Sequence, residues 1–165
     1  METNSQNNFP GELQKLWNGE RMLVAAMPAM IEKANNEGLK NILSLHLAET
    51  LQHKTALEGI FKQLNIVAEE KINDDLQNIL QEGQIAMMNA SEDRADDLVI
   101  DSARKIEQYE IAAYTLAGEY AKELGYEGIA QRLFLTQAEE IQANTKLIFL
   151  KNRVIHEELV IQKIY

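Results

Sequence analysis

The chain has no cysteine among its 165 residues, which excludes disulfides, a thiolate nucleophile and every zinc or iron–sulfur site built on sulfur. Any metal would have to be held by oxygen and imidazole ligands. Proline occurs twice and glycine eight times, so the turn-rich pattern of a sandwich or barrel has little to build on. Basic charge is also scarce: 16 Lys and Arg stand against 26 Asp and Glu, a formal net charge of −10. Such a surface opposes nucleic acid and anionic membranes, whose phosphates need clustered Lys and Arg, but it suits cations. No stretch reaches the roughly 18 apolar residues of a membrane span, and the opening METNSQNN lacks the basic and apolar regions of a signal peptide. The expectation is a soluble, cytoplasmic protein with neither a nucleic-acid nor a membrane partner.

What is present favours helix. Hydrophobic residues make up 45%, and long runs of Ala, Leu, Glu, Lys and Gln point to an all-α globule with strand signals nearly absent. The length predicts one domain over 1–165, burying roughly 70% of the surface its unfolded form exposes, with 1–8 disordered.

Helical periodicity divides the chain. Pro10 suits a first helical position, followed by the stripe Leu13, Leu16, Trp17, Glu20, Leu23 or Val24, Met27 and Met30. Pro28 should kink this helix, and Asn35, Asn36 and Gly38 should end it. A second helix is expected from about Leu39 to Leu64. Its inward face is either Ile42, His46, Glu49, His53, Ala56 and Ile60 or the neighbouring Leu43, Leu47, Leu51 and Leu57. After a connection at 65–71, a short helix near 72–89 precedes a long one, which is capped around Ser91 to Asp97, ends near Gly125 and carries Val99, Ala103, Ile106, Glu110, Ala113, Ala117, Tyr120 and Leu124 on one face. A further helix from about Glu127 to Lys151 aligns Ala130, Leu133, Gln137, Glu140, Asn144 and Leu147. The tail from Asn152 to Tyr165 should continue as helix, with Val154, Ile155, Leu159, Ile161 and Ile164 free to pack on the bundle or on a second subunit. The long stretch between the second and third long helices predicts a crossover running the length of a bundle.

Four long helices thus place a glutamate in mid-face: Glu20, Glu49, Glu110 and Glu140. A carboxylate among apolar neighbours must be neutralised by a proton, a cation or a metal. Bundles of the di-iron and di-manganese carboxylate class use this pattern, with a Glu from each of two helices and a Glu plus nearby His from the other two. Here His53 follows Glu49, and Asn144 follows Glu140, each by four residues, where that class spaces its Glu and His by three. The competing reading is a register shifted by one position that leaves the glutamates solvated. His53 is either a ligand or a histidine hydrogen-bonded to a carboxylate, whereas His46 and His156 read as structural or exposed. Tyr109 and Tyr114 read as packing, with a redox or hydrogen-bonding role beside the site as the alternative, the methionines as gap filler, and Asp74, Asp75, Asp93, Asp96 and Asp97 as caps and solvated faces.

The segments LWNGERMLVAAMPAM, HLAETLQH, KIEQYEIAAY and LGYEGIAQRLFLTQAEE resemble those of the ferritin-like family of bacterial YciE and YciF stress proteins, over roughly Leu13 to Leu150. IEQYEIAAY is the most specific of them. The resemblance implies a ferritin-like four-helix bundle with a long crossover between helices 2 and 3 and an extra C-terminal helical segment. It also implies a homodimer and a stress-related role. Glu20, Glu49, Glu110 and Glu140 fall in its matching segments, while the family more often has Gln at His53 and an acid at Asn144. Glu107, three residues before Glu110, resembles the doubled carboxylate of some peroxide-reducing di-iron proteins, or is a solvated neighbour. The expected metal ligands are therefore Glu20, Glu49, His53, Glu107, Glu110, Glu140 and Asn144, holding two iron or manganese ions that act on oxygen or peroxide. The alternative is a structural or interaction protein on the same fold.

Overall fold

The computed structural model describes residues 4–162, with side-chain surroundings for residues 8–153. Five helices follow one another: α1 (Asn4–Lys33), α2 (Glu37–Leu64), α3 (Asp74–Met88), α4 (Glu92–Glu123) and α5 (Glu127–Gln162). No strand occurs among the described residues, and no helix there is long and apolar enough to cross a membrane.

Helix α1 packs on α2 and α4, and α5 packs on α4 and α2, so these four close a bundle while α3 lies outside against α4 and α1. Hydrogen bonds set the direction of α4. The Asp96 carboxylate near its start accepts from the backbone N–H groups of Asn35 at 2.6 Å and Asn36 at 3.1 Å, in the turn between α1 and α2. At its other end Ala121 shares a cluster with Phe9 of α1 and Phe61 of α2. Helices α2 and α4 therefore run the same way, and the chain must climb the bundle between them. The climbing segment before α3 has no ladder of its own, and its backbone groups need partners. Side chains of α1 supply them: Gln14 Nε2 donates to Val67 O at 2.6 Å, Asn18 Nδ2 to Glu69 O at 2.9 Å, and Asn18 Oδ1 accepts from Lys71 N at 2.9 Å. Asn73 then caps α3, its Oδ1 accepting from Leu76 N at 3.2 Å. The result is a ferritin-like bundle with the expected long crossover, and the C-terminal segment is a continuation of α5.

Some boundaries differ from the sequence reading. The stretch expected to be disordered, 1–8, is helical from Asn4, and Pro10 lies inside α1 instead of opening it. Phe9, buried and stacked 6.1 Å from Tyr126, anchors the helix at this point. Both Pro10 and Pro28 are exposed, and α1 continues through them, since a carbonyl released on the wet side of a helix is served by water. The reading of His156 and of the apolar tail side chains from Val154 onward falls outside the described side chains.

In α2 the inward face is neither proposed stripe. Leu39, Leu43, His46, Thr50, His53, Leu57 and Ile60 are buried, in alternating steps of four and three. The face is centred on His46, His53 and Ile60, which belong to one expected stripe, but turns toward Leu43, Thr50 and Leu57 and away from Ile42, Glu49 and Ala56, which are only half-buried.

Because Asp96 ties the start of α4 to the α1–α2 turn through charge-assisted bonds, Asp96→Ala should destabilise the chain by about 1.5–3 kcal/mol. Urea unfolding should show a lower midpoint with an unchanged slope, and an unchanged midpoint would show the tie to be idle.

Candidate metal centre

Two apolar clusters fill the bundle, and a polar layer separates them. One cluster holds Leu13, Leu16, Trp17, Leu57, Phe61, Ala117 and Leu133. The other holds Leu23, Met27, Leu39, Leu43, Ala103, Ile106 and Leu147. Between them each bundle helix turns a polar residue inward: Glu20 from α1, His46, Thr50 and His53 from α2, Glu107 and Glu110 from α4, Thr136 and Glu140 from α5, all buried.

The layer splits into two groups that meet at Glu140. His46, Glu107, Glu110 and Glu140 offer ligand atoms within 4.8 Å of one another, and so do Glu20, His53 and Glu140. The two oxygens of Glu140 face different ways: Oε2 lies 3.5 Å from His46 Nε2, and Oε1 lies 2.9 Å from His53 Nδ1. His46 Nε2 is also 3.2 Å from Glu107 Oε1, and His53 Nδ1 is 3.7 Å from Glu20 Oε1. The outward ring nitrogens meet carboxylates at the rim of the layer, His46 Nδ1 with Glu49 at 3.4 Å and His53 Nε2 with Glu139 at 2.8 Å. Tyr114, packed edge-on to the His53 ring, donates its hydroxyl proton to Glu20 Oε1.

Electrostatics match this crowding. Burial, reinforced by the charge of Glu140 and opposed by His53, lifts the Glu20 carboxyl to about 8. Burial together with neighbouring carboxylates also pushes Glu107 and Glu110 well above the usual range. For His53, burial favours the neutral ring, but the carboxylates of Glu140, Glu20 and Glu139 outweigh it and raise the group to about 9. Burial likewise raises the Tyr114 phenol. At the rim, the hydrogen bond with His46 holds the Glu49 carboxyl below its ordinary value.

Buried polar atoms normally find partners, and here a set of them does not. Apart from Arg21 Nε, every buried side-chain oxygen or nitrogen left without a hydrogen bond among the described residues belongs to this layer: Glu20 Oε2, His46 Nε2, His53 Nδ1, Glu107 Oε2, Glu110 Oε2 and both oxygens of Glu140. The short contacts between these atoms are poorly aligned for hydrogen bonding. Oxygen and imidazole donors of this kind fit iron or manganese, and the inward atoms are the ones lacking a partner.

Of the residues singled out from the sequence, Glu20, His53, Glu107, Glu110 and Glu140 come together. Glu49 does not join them: its side chain is 28% exposed and reaches only the outer nitrogen of His46, because the α2 face is rotated toward Thr50. Asn144 is also outside both groups, with its Oδ1 3.4 Å from Arg104 Nε as acceptor. Gln137 turns aside to donate to Thr115 at 2.6 Å. His46, read as structural or exposed, is buried in the layer, and a signal for it existed, since it precedes His53 by two helical turns on one stripe. Of the two tyrosines, Tyr114 takes the hydrogen-bonding alternative, on Glu20, whereas Tyr109 bonds Asn73 at the start of α3.

A family model described as a domain of unknown function, DUF892, matches residues 4–160. Protein YciF of Escherichia coli K12 is 25% identical over 143 residues, covering 82% of each chain. Among solved structures, YcfI of Rhodopseudomonas palustris is similar with a TM-score of 0.83 at 29% identity, over 88% of this chain and 93% of that one. The E. coli stress protein YciF has a TM-score of 0.88 at 24% identity, over 94% of this chain and 99% of its own. With nearly the whole length matched by the family model and the bundle shared with these structures, the chain belongs to DUF892, the ferritin-like family of the YciE and YciF proteins.

Proposed function

We propose that this chain is a stress-related ferritin-like protein whose polar layer binds two iron or manganese ions and acts in Fe(II) oxidation or peroxide handling. The convergence of unpartnered, buried carboxylate oxygens and imidazole nitrogens carries this reading. His46, Glu107, Glu110 and Glu140 would hold one ion, and Glu20, His53 and Glu140 the other. Bound ions of this type supply one-electron redox chemistry toward dioxygen or peroxide. The chain contributes the rest. The apolar clusters on either side keep the layer dry and strengthen its electrostatics, and Tyr114 holds a proton against Glu20. The description of E. coli YciF as a stress protein agrees with the role. A second reading, a structural or interaction protein without tight metal binding, has support in the description of YcfI as a candidate structural protein. The homodimer expected from the sequence belongs to the proposal too. It is supported by exposed Leu45 and Leu51 on α2 and Ile141 and Phe149 on α5, and light scattering should give twice the 18.7 kDa chain mass. A mass of one chain would remove it.

In the metal-free chain, protons must neutralise the layer. Glu20 keeps its proton up to about 8 when folded but only to 4.5 when unfolded, so over that interval the folded chain binds more protons and its stability falls as pH rises. His53 acts in the same direction. Its favourable pairing is fully present below 6.5 and is lost as pH rises through about 9. Calorimetric melting of metal-free protein should therefore show Tm declining between about pH 5 and 9, less steeply in Glu20→Gln. A Tm rising through this interval would contradict the assignment. Metal affinity should move the other way, because ions displace these protons.

Isothermal titration with Mn(II) should find two ions per chain. Glu140→Ala should weaken both at least tenfold, about 1.4 kcal/mol each, while Glu110→Ala and Glu20→Ala should each affect mainly one. In stopped flow, wild type should oxidise Fe(II) with peroxide or dioxygen faster than Glu140→Ala. Equal oxidation rates would remove the redox role, and wild type with no measurable binding would favour the structural reading.

A further inference from the structure

The two histidines of the layer, both on α2, are held in the same manner by outer carboxylates from different helices. Each turns one nitrogen to Glu140 and the other to a carboxylate at the rim. For His46 the inner atom is Nε2 and the outer Nδ1, which meets Glu49 three residues along α2. For His53 the inner atom is Nδ1 and the outer Nε2, which meets Glu139 across the bundle on α5. Neighbouring residues Glu139 and Glu140 thus engage opposite nitrogens of one ring. Both rim carboxylates are partly exposed, 28% for Glu49 and 36% for Glu139, and their imidazole partners are buried. Other glutamates at or near the surface, Glu12, Glu37 and Glu58, pair instead with Lys15, Lys40 and Lys54.

We infer that Glu49 and Glu139 are positioning residues that hold His46 and His53 with Nε2 and Nδ1, respectively, turned into the layer as cation donors. A neutral imidazole has one N–H and one lone pair. A carboxylate accepting at the outer nitrogen places the N–H there and leaves the lone pair on the inner one. The inner nitrogens are the two buried imidazole atoms without a hydrogen-bond partner among the described residues. Glu49, which the sequence presents as a ligand, acts in this scheme through His46. The inference rests on the layer being a metal centre, and its test separates the two.

Calorimetric titration of the full chain with Mn(II) is compared for wild type, Glu139→Ala, Glu139→Gln, Glu49→Ala and Glu49→Gln. Loss of such an outer partner lowers metal affinity about 10–100-fold, so Glu139→Ala should weaken one ion by that factor. Glu139→Gln, which keeps an acceptor oxygen, should recover much of the loss. Glu49→Ala should act on the other ion and more weakly, since its contact is 3.4 Å against 2.8 Å. Loss of an outer partner also removes part of that imidazole's pairing in the metal-free chain and should lower its melting temperature, so positioning is separated from a merely structural role by a loss of affinity larger than that fall accounts for and by its recovery in the Gln variants. Wild-type binding left unchanged in both Ala variants overturns the inference and spares the metal centre. The same holds if the Gln variants lose as much as the Ala variants, or if affinity falls only in step with metal-free stability. Absence of Mn(II) binding in wild type overturns both.

Discussion

Buried charge is the constraint on which this structure depends. Glu20, Glu107, Glu110 and Glu140 are almost inaccessible, between two clusters made mainly of Leu, Ile, Met, Phe and Ala. Several carboxylates cannot ionise together in such surroundings without counter-charge, because each carries a desolvation cost of several kcal/mol. The fold resolves this by stacking all of them in one layer with two imidazoles. Burial there favours the protonated forms of Glu20, Glu107 and Glu110 in the metal-free chain, and by the function proposed above the layer holds cations in the loaded one. Dispersed through the core, the same residues would each need a separate partner.

The bundle makes that layer by repetition. Every long helix alternates apolar turns with one polar turn at the same height, so four independent amphipathic patterns converge only when the helices are aligned axially. Alignment comes from the ends and the crossover: Asp96 fastens α4 to the α1–α2 turn, and Gln14, Asn18 and Asn73 fasten the climbing segment to α1 and α4. These polar contacts lie away from the layer yet set the height at which Glu107 and Glu110 meet Glu20. An outer crossover also lets α2 and α4 run parallel, which brings the histidine stripe of α2 diagonally across from the glutamates of α4.

Much of this was legible in the sequence because helical periodicity is strong over long segments. The helix count, the crossover and the inward glutamates of α1, α4 and α5 follow from spacing, and the family resemblance agrees with them. What was not legible is rotational. In α2 the residues on either side of the centre line, Glu49 and Thr50, are about 100° apart, and periodicity alone does not say which flank turns inward. Hydrophobicity misled here, since Leu51 is exposed and Leu47 only half-buried while Thr50 is buried against Met27. Asn144 was assigned by its four-residue step from Glu140, but Ala143 takes the buried position and Arg104 bonds the amide. His46 was passed over because a histidine is judged by its neighbours in space, and those neighbours, Glu107 and Glu140, come from two other helices.

The central claim is that the layer is a two-ion centre built around Glu140. Anomalous diffraction from crystals of the Mn(II)-loaded protein tests it most directly. The account predicts two peaks per chain, one on each side of the Glu140 carboxylate, the first bonded to His46 Nε2 and the second to His53 Nδ1. Anomalous density confined to acidic groups on the surface, with none between Glu140 and the imidazoles, would contradict it.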